Sequence, residues 1–402
     1  MAFLGGIGGG VVFPILPVLG LHMGLSAFMV GVILAANRVI RIGVNPFTGA
    51  LVDRFGGRGV IAAGLFIEGV GTLGYIAAIH LDAPAFWFLA GRLVWGAGSS
   101  LLFVGAVAAV LTLSSGGNRG RLVARARSAI SLGVPGGLVL GGLVMELANA
   151  DTAFLIAMLL SVASGFGALA GIPRIRGAAA SERQRGGGLM RDWRILLTQR
   201  RLAGIWLYAM LVAFCVTGVL LSTLVLLVES RGTSIVGLGA EGSAGLLMAV
   251  LMLAYAGTSL FIGRRIDLLA RRTALLVGTM VVLAAGFAGL AWARNVPEVL
   301  IALLVIGVAT GATTTPLITL IGDLVAPQRR GRAAALYQVA ADVGSTAGPI
   351  VGLVLCVNYG FLPVFLGLAG VVILSLPVAF MLARAESRSL RKQAGKQRMQ
   401  AR

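Results

Sequence analysis

The chain has 402 residues, of which 58% are hydrophobic and only 12% charged, and its mean hydropathy is +0.97. A soluble globular chain carries about 25% charged residues, so an ordinary soluble enzyme, a disordered protein and a soluble repeat solenoid are excluded. The formal charge of +19, from 33 basic and 14 acidic residues, would suit a nucleic-acid binder if it formed one basic surface; its distribution along the chain is different. Cys215 and Cys356 each lie inside an apolar run, which leaves no CxxC pair, zinc set or disulfide framework.

Twelve apolar runs follow in chain order, each near the ~20 residues that cross a hydrocarbon core. Spans 1 to 6 cover 2–23, 26–51, 60–79, 85–107, 129–147 and 152–173. A polar, arginine-rich stretch occupies 174–201, in which 189–198 around Trp193 reads as a short amphipathic helix on the inner leaflet. Spans 7 to 12 cover 202–228, 240–262, 273–293, 298–322, 333–357 and 361–383, and a basic tail ends the chain. Of the 33 basic residues, 28 fall in alternate connections, the central stretch and the tail. Only 2, Arg231 and Arg294, fall in the opposite connections, and 3, Arg38, Arg41 and Arg92, inside spans. This bias follows the positive-inside rule and places both termini in the cytoplasm. The charge is then topology and attraction to anionic lipid headgroups, with no nucleic-acid partner. Met1–Leu4 has no positive n-region and is not the start of a signal peptide; a cytoplasmic leader ahead of span 1 is left open.

The chain repeats itself. Gly49, Asp53 and Arg58 between spans 2 and 3 recur as Gly263, Asp267 and Arg272 between spans 8 and 9, all at an offset of 214, shared by Pro135 and Pro349. Arg-Gly-Arg stands at 119–121 and again at 330–332. Parallel repeats of this kind are a transporter architecture. The expected fold is an all-α membrane protein of twelve helices in two pseudo-symmetric six-helix bundles, 1–173 and 202–384, joined by a cytoplasmic linker 174–201 and followed by a tail 385–402.

These motifs resemble the major facilitator superfamily over nearly the whole chain. The stretch Gly49 to Arg58, with Gly49, Leu51, Asp53, Arg54, Gly56 and Arg58 in register and Gly57 beside them in the gate, closely matches the family's signature between spans 2 and 3, with Gly263, Asp267, Arg271 and Arg272 as its degraded copy. Arg92, Gly96 and Gly98 match the span-4 signature. Pro14 and Pro17 resemble the proline pair of drug:proton antiporter branches. The antiporter signature of span 5 is imperfect: Gly133-Val-Pro135-Gly136-Gly137 lacks the Gly-Pro order and its second double glycine comes late, at 141–142. A better copy, Gly344, Gly348, Pro349 and Gly352, sits in span 11. The resemblance implies rocker-switch alternating access, no cofactor and no enzymatic activity. It further implies a gate in which Asp53 meets the positive N-terminal end of span 11.

Charges inside spans are functional suspects, because each costs at least ~2.5–3.5 kcal/mol at mid-membrane. Reflecting Glu68 about the hairpin centre near Phe55 lands beside Arg41, which predicts an ion pair. Asn37, Arg41 and Asn45 form one stripe on span 2 at helical spacing. On span 11, Tyr337, Gln338, Asp342, Ser345 and Thr346 share a face, and reflecting Asp342 lands on Thr314 of span 10. No basic residue lies in the spans of the second half, so Asp342 is the expected proton-coupling carboxyl. By resemblance span 4 lines the cavity, where Arg92 holds an anion or biases a nearby acid's proton affinity, or instead bonds backbone carbonyls near Thr72, and Trp95 stacks on a substrate or simply packs. His22 and His80 near Asp82 are an incomplete metal set, so no metal is expected. No phosphate-binding loop, nucleophile elbow or haem spacing occurs.

The leading reading is a secondary active transporter, a monomer in a bacterial plasma membrane, exporting a small amphipathic solute against protons. An alternative is an organic-anion or metabolite carrier using Arg38, Arg41 and Arg92. A reading of a different class is a non-transporting scaffold or sensor with the same fold.

Overall fold

The computed structural model describes residues 2–113, 119–173, 199–235, 237–265, 272–325 and 330–382. Its regular structure is helical: α1 Ala2–His22, α2 Ala27–His80, α3 Pro84–Leu113, α4 Arg119–Leu147, α5 Ala150–Gly171 and α6 Arg200–Val212. A π-helical stretch, Ala213–Leu220, joins α6 to α7 Leu221–Arg231. Then come α8 Ala240–Arg265, α9 Arg272–Trp292, α10 Val296–Leu324, α11 Arg330–Tyr359 and α12 Phe361–Leu374. Among the described residues 11 stretches are long and apolar enough to cross a membrane, and Leu132–Leu147 within α4 is a shorter apolar one. Together they follow the twelve expected spans. Helices are what such a sequence must form in lipid, where every backbone group needs a partner within the segment.

Two expectations change in detail. Spans 2 and 3 are not separated by a loop: α2 runs through both and breaks only at Gly56, whose φ of 77° and ψ of 153° suit glycine and almost nothing else. The break divides α2 into a first limb, 27–55, and a second limb, 57–80. Span 7 is interrupted by the π-helical stretch, a form often found at functional places. The amphipathic helix expected at 189–198 and the basic tail lie outside the described residues.

On the side with few arginines, helices begin with side-chain caps. Ser26 accepts from the Met29 amide, Asn149 from Thr152 and Asn295 from Glu298. Each satisfies one amide that the helix itself leaves open.

The described residues form two compact units. One draws on Met1–Gly186, Thr217–Val250 and Ser345–Asn358, the other on Gly187–Val216, Leu251–Gly344 and Tyr359–Arg402. In the first unit α1 and α4 run backbone against backbone. Gly133, Gly137 and Gly141, one turn apart on α4, face the carbonyls of Phe3, Ile7 and Val11. Lipid tails are as apolar as leucine, so helices in a membrane gain little by hiding side chains from each other and adhere through close packing of small residues. The second limb of α2 meets α3 in the same way, Gly64 opposite Gly98 and Gly71 opposite Gly91. In the second unit Gly307 and Gly311 of α10 lie on the backbone of α8 at Leu251 and Tyr255, and the Tyr208 hydroxyl donates to Ser375 O at 2.6 Å. Large apolar side chains such as Phe47, Leu147, Phe166 and Leu374 face outward, as they do where the surroundings are lipid.

Gly137→Ala should cost about 1–3 kcal/mol, since its methyl group would collide with the Ile7 carbonyl oxygen. Gly136→Ala should be neutral or slightly stabilising, because its methyl meets only Phe3 and Ile7 side chains, at 3.5 and 3.7 Å. Denaturant unfolding in micelles checks the contrast; equal effects would remove the backbone-contact account.

Candidate functional site

The first unit has a buried polar seam along the glycine-lined contact between α2 and α3. Glu68 and Arg92 are both 0% exposed. Gly71 and Gly91 bring the two backbones together, and Gly98 leaves room for the Glu68 side chain against α3. Gly96 instead faces Asn37 and Ile40 of the first limb of α2. The span-4 motif thus presents one glycine to each limb of α2.

Arg92 is held by that first limb. Its Nε donates to Ile33 O at 3.3 Å and one terminal nitrogen to Leu34 O at 3.1 Å, while the other, Nη1, has no partner. Tyr75, two turns beyond Glu68 on the same limb, lies beside the guanidinium. The Trp95 ring lies 5.7 Å from Arg92 and packs on the glycine face of α1 at Gly8 and Gly9. Trp95 Nε1 and the Ser161 hydroxyl are also unpartnered. Arg92 therefore has the carbonyl-bonded arrangement, with carbonyls of α2 as acceptors, and Trp95 is packed at 4% exposure.

The predicted Arg41–Glu68 ion pair is not formed. The two groups lie within electrostatic reach of one another all the same. The Arg41 guanidinium lies instead over the Phe103 ring, 4.8 Å from its centre, with Nε unpartnered. Both Glu68 oxygens are buried without a hydrogen-bond partner. The remaining members of the span-2 stripe divide. Asn37 is buried with its Oδ1 unpartnered, and Asn45 Oδ1 accepts from Ser100 at 2.6 Å, which in turn meets Thr48 at 3.1 Å. Arg38 lies 5.9 Å from the Phe13 ring and donates to Ser345 O at 3.3 Å.

At the ends with few arginines, helices of the first repeat pack on helices of the second. Gly142 of α4 crosses Gly245 of α8, Cα against Cα, with the Glu241 carbonyl beside it. Gly31 of α2 lies against Pro349 O and Ile350 of α11. The Glu146 carboxylate occupies the space at Gly239, just ahead of α8. His22 and Glu229, ending α1 and α7, stand 3.7 Å apart, and His80 pairs with Asp151 at 3.0 Å. The histidines thus meet carboxylates other than Asp82. Pro14 and Pro17 lie inside α1, Pro135 inside α4, and Gly348 and Pro349 inside α11.

In the second unit Asp342 is 6% exposed and Gln338 Nε2 donates to its Oδ1 at 3.1 Å. Tyr337 is within electrostatic reach of Tyr255 of α8. The span-10 threonines point three ways: Thr313 to Thr279 of α9, Thr315 to Ser259 of α8, and Thr314 to Thr310 O on its own helix. Of the gating motif, Gly49 and Asp53 lie in helical backbone and the Asp53 side chain is outside the described residues. Arg54 lies over Phe55, and Gly57 and Arg58 are half-buried. Gly263 is exposed near the end of α8, and Asp267, Arg271 and the Arg272 side chain lie outside the described residues. Sequence reasoning missed Tyr75, Ser100, Ser161 and the Gly142–Gly245 crossing. The last left only one sign in the sequence, Gly142 adjoining the Gly133, Gly137 and Gly141 series that packs on α1.

Twelve apolar spans, a parallel repeat and first-repeat helices packed on second-repeat ones define an integral membrane protein of the transporter class. The chain belongs to the Major Facilitator Superfamily, whose profile matches residues 1–242 and again 235–401, a family of transporters and not of enzymes. It is 28% identical over 166 residues to Multidrug resistance protein 2 of Bacillus subtilis (strain 168), covering 40% of each chain. It is 36% identical over 146 residues to the class C Tetracycline resistance protein of Escherichia coli, covering 35% of each. The chain thus spans well under half the length of these relatives. In fold it is similar to a bacterial homolog of the human lysosomal transporter Spinster, in an inward-facing and occupied conformation. The TM-score is 0.75, with 13% identity over 95% of this chain and 94% of that one.

Arg92→Lys should lose at least one of the two carbonyl bonds to α2, each worth about 1.5–3 kcal/mol when charge-assisted. Unfolding in micelles should show a loss of that size, and Arg92→Gln a larger one. Unchanged stability in both would return Arg92 to a substrate-binding role.

Proposed function

We propose that the protein is a proton-coupled exporter of small amphipathic compounds in a bacterial plasma membrane, working by rocker-switch alternating access. The observation that carries this reading is the glycine-to-backbone packing of first-repeat on second-repeat helices at the ends with few arginines. Small residues there let two repeats close tightly, yet bury little that would prevent their parting. With the arginine-rich side cytoplasmic, this is the externally closed conformer. The Gly49–Arg58 motif and its copy at 263–272 are assigned to the gate on the other side. Relatives named for multidrug and tetracycline resistance support a drug-like substrate. The two repeats, 1–173 and 202–384, are the moving bodies.

Asp342 is the proposed coupling carboxyl, with Gln338 orienting it and Tyr337 on the same face. The organic-anion alternative is weakened by Arg92, which is fully buried and spends two nitrogens on backbone carbonyls. It retains Arg38 and Arg41.

The test is flux into proteoliposomes with an imposed pH gradient, using a panel of cationic, neutral and anionic dyes. Wild-type transport should collapse when the gradient is dissipated. Asp342→Asn should lose gradient-driven flux, at least tenfold, while keeping equilibrium dye binding. Full gradient-driven flux in Asp342→Asn moves coupling elsewhere; competition confined to anionic solutes favours the alternative.

A further inference from the structure

Glu68 is the most isolated charged group among the described residues of the first unit. It is fully buried and neither carboxylate oxygen has a hydrogen-bond partner. The groups around it come from each packed element. From the first limb of α2, Arg41 lies within electrostatic reach of it. From α3 it meets the bare backbone of Gly98, with Arg92 two turns away and bound to Ile33 and Leu34. On its own limb Thr72 donates to the Glu68 carbonyl, not the carboxylate, and Tyr75 stands within electrostatic reach of both Arg92 and Glu68. From α5 the neighbours at Gly69 are Met158 and Val162. An ionised carboxylate with no donor costs several kcal/mol in such surroundings, whereas a protonated one is neutral. Arg41, for its part, rests on an aromatic ring, which is a reasonable harbour for a guanidinium without a carboxylate.

We propose that Glu68 and Arg41 form a proton-gated charge pair, in which a proton and the Arg41 guanidinium compete for the same carboxylate. The arrangement described here is the protonated one. Loss of the proton to solvent restores the carboxylate charge and draws Arg41 off Phe103 onto Glu68; return of the proton to a carboxylate oxygen releases it. The two residues sit on opposite limbs of α2, on either side of the Gly56 break. The first limb also carries Gly31 against Pro349 and Arg38 on Ser345. Pairing of Arg41 with Glu68 would therefore shift the limb that packs on the second repeat. The transport meaning of this pair rests on the proton-coupled reading above; its chemistry does not.

Infrared difference spectroscopy of the full-length protein in lipid, titrated with pH, follows the carbonyl band of protonated carboxyls directly. A component of that band should vanish in Glu68→Gln, persist at a displaced frequency in Glu68→Asp, and persist unchanged in Asp342→Asn. In Arg41→Gln, which lacks the competing cation, it should survive to more alkaline pH than in the wild type. A band that titrates identically in Glu68→Gln and wild type overturns the proposal, and so does an Arg41→Gln titration that matches the wild type. Glu68→Asp guards against a loss of signal through misfolding, since a folded chain retaining a carboxyl there must still show the component. Wild-type flux indifferent to the pH gradient, with the Glu68 component present, would support the pair while overturning the proton-coupled reading.

Discussion

In hydrocarbon, two helices cannot adhere by hiding apolar side chains, because the lipid offers those side chains the same surroundings. Close backbone approach is what remains, and in the first unit it is supplied by glycines. Gly133, Gly137 and Gly141 set α4 on α1, Gly64 and Gly71 set the second limb of α2 on α3, and Gly142 and Gly31 set the first repeat on the second. Dispersion and weak backbone contacts across such faces are individually small. A contact of this kind is shape-specific but separable, as the proposed alternating access requires.

The same glycine faces decide where charge can lie. Bringing α3 onto α2 at Gly96 puts Arg92 beside the carbonyls of Ile33 and Leu34, so an arginine in mid-membrane is satisfied by backbone rather than by a carboxylate. Glu68 has no such neighbour, because the backbone it meets at Gly98 is helical and its amide already bonded within the helix. One buried charge is thereby held by backbone carbonyls, and the other, in the proposed pair, is left to a proton or to Arg41. Breaking a buried charge off its partner is costly only if nothing replaces the partner.

The twelve spans, the repeat and the arginine bias were legible because they depend on composition and order alone. So was the nearness of Arg41 and Glu68, which follows from counting residues on the two limbs of α2. Contact is a stricter matter. Each residue turns a helix by 100°, and reflection about a hairpin fixes depth without fixing rotation. This is why Arg41 ends over Phe103 and why Thr313, Thr314 and Thr315, adjacent in sequence, bond to α9, their own helix and α8 respectively. The span-5 glycines read as a damaged signature for a related reason. Their spacing serves two partners at once, α1 on one face and α8 at Gly142, and a linear motif describes only one face.

If the packing of first-repeat on second-repeat helices at the arginine-poor ends is the closed state of one gate, it must be reversible. Spin labels at Ala148, after α4, and Ser234, ahead of α8, would report on that gate by pulsed dipolar spectroscopy in lipid nanodiscs. Two distance populations are expected, a short one matching the Gly142–Gly245 crossing and a longer one, with their ratio moving as pH is changed. A single short distance, unmoved by pH in wild type and in a Gly142→Leu variant built to wedge the crossing apart, would contradict it.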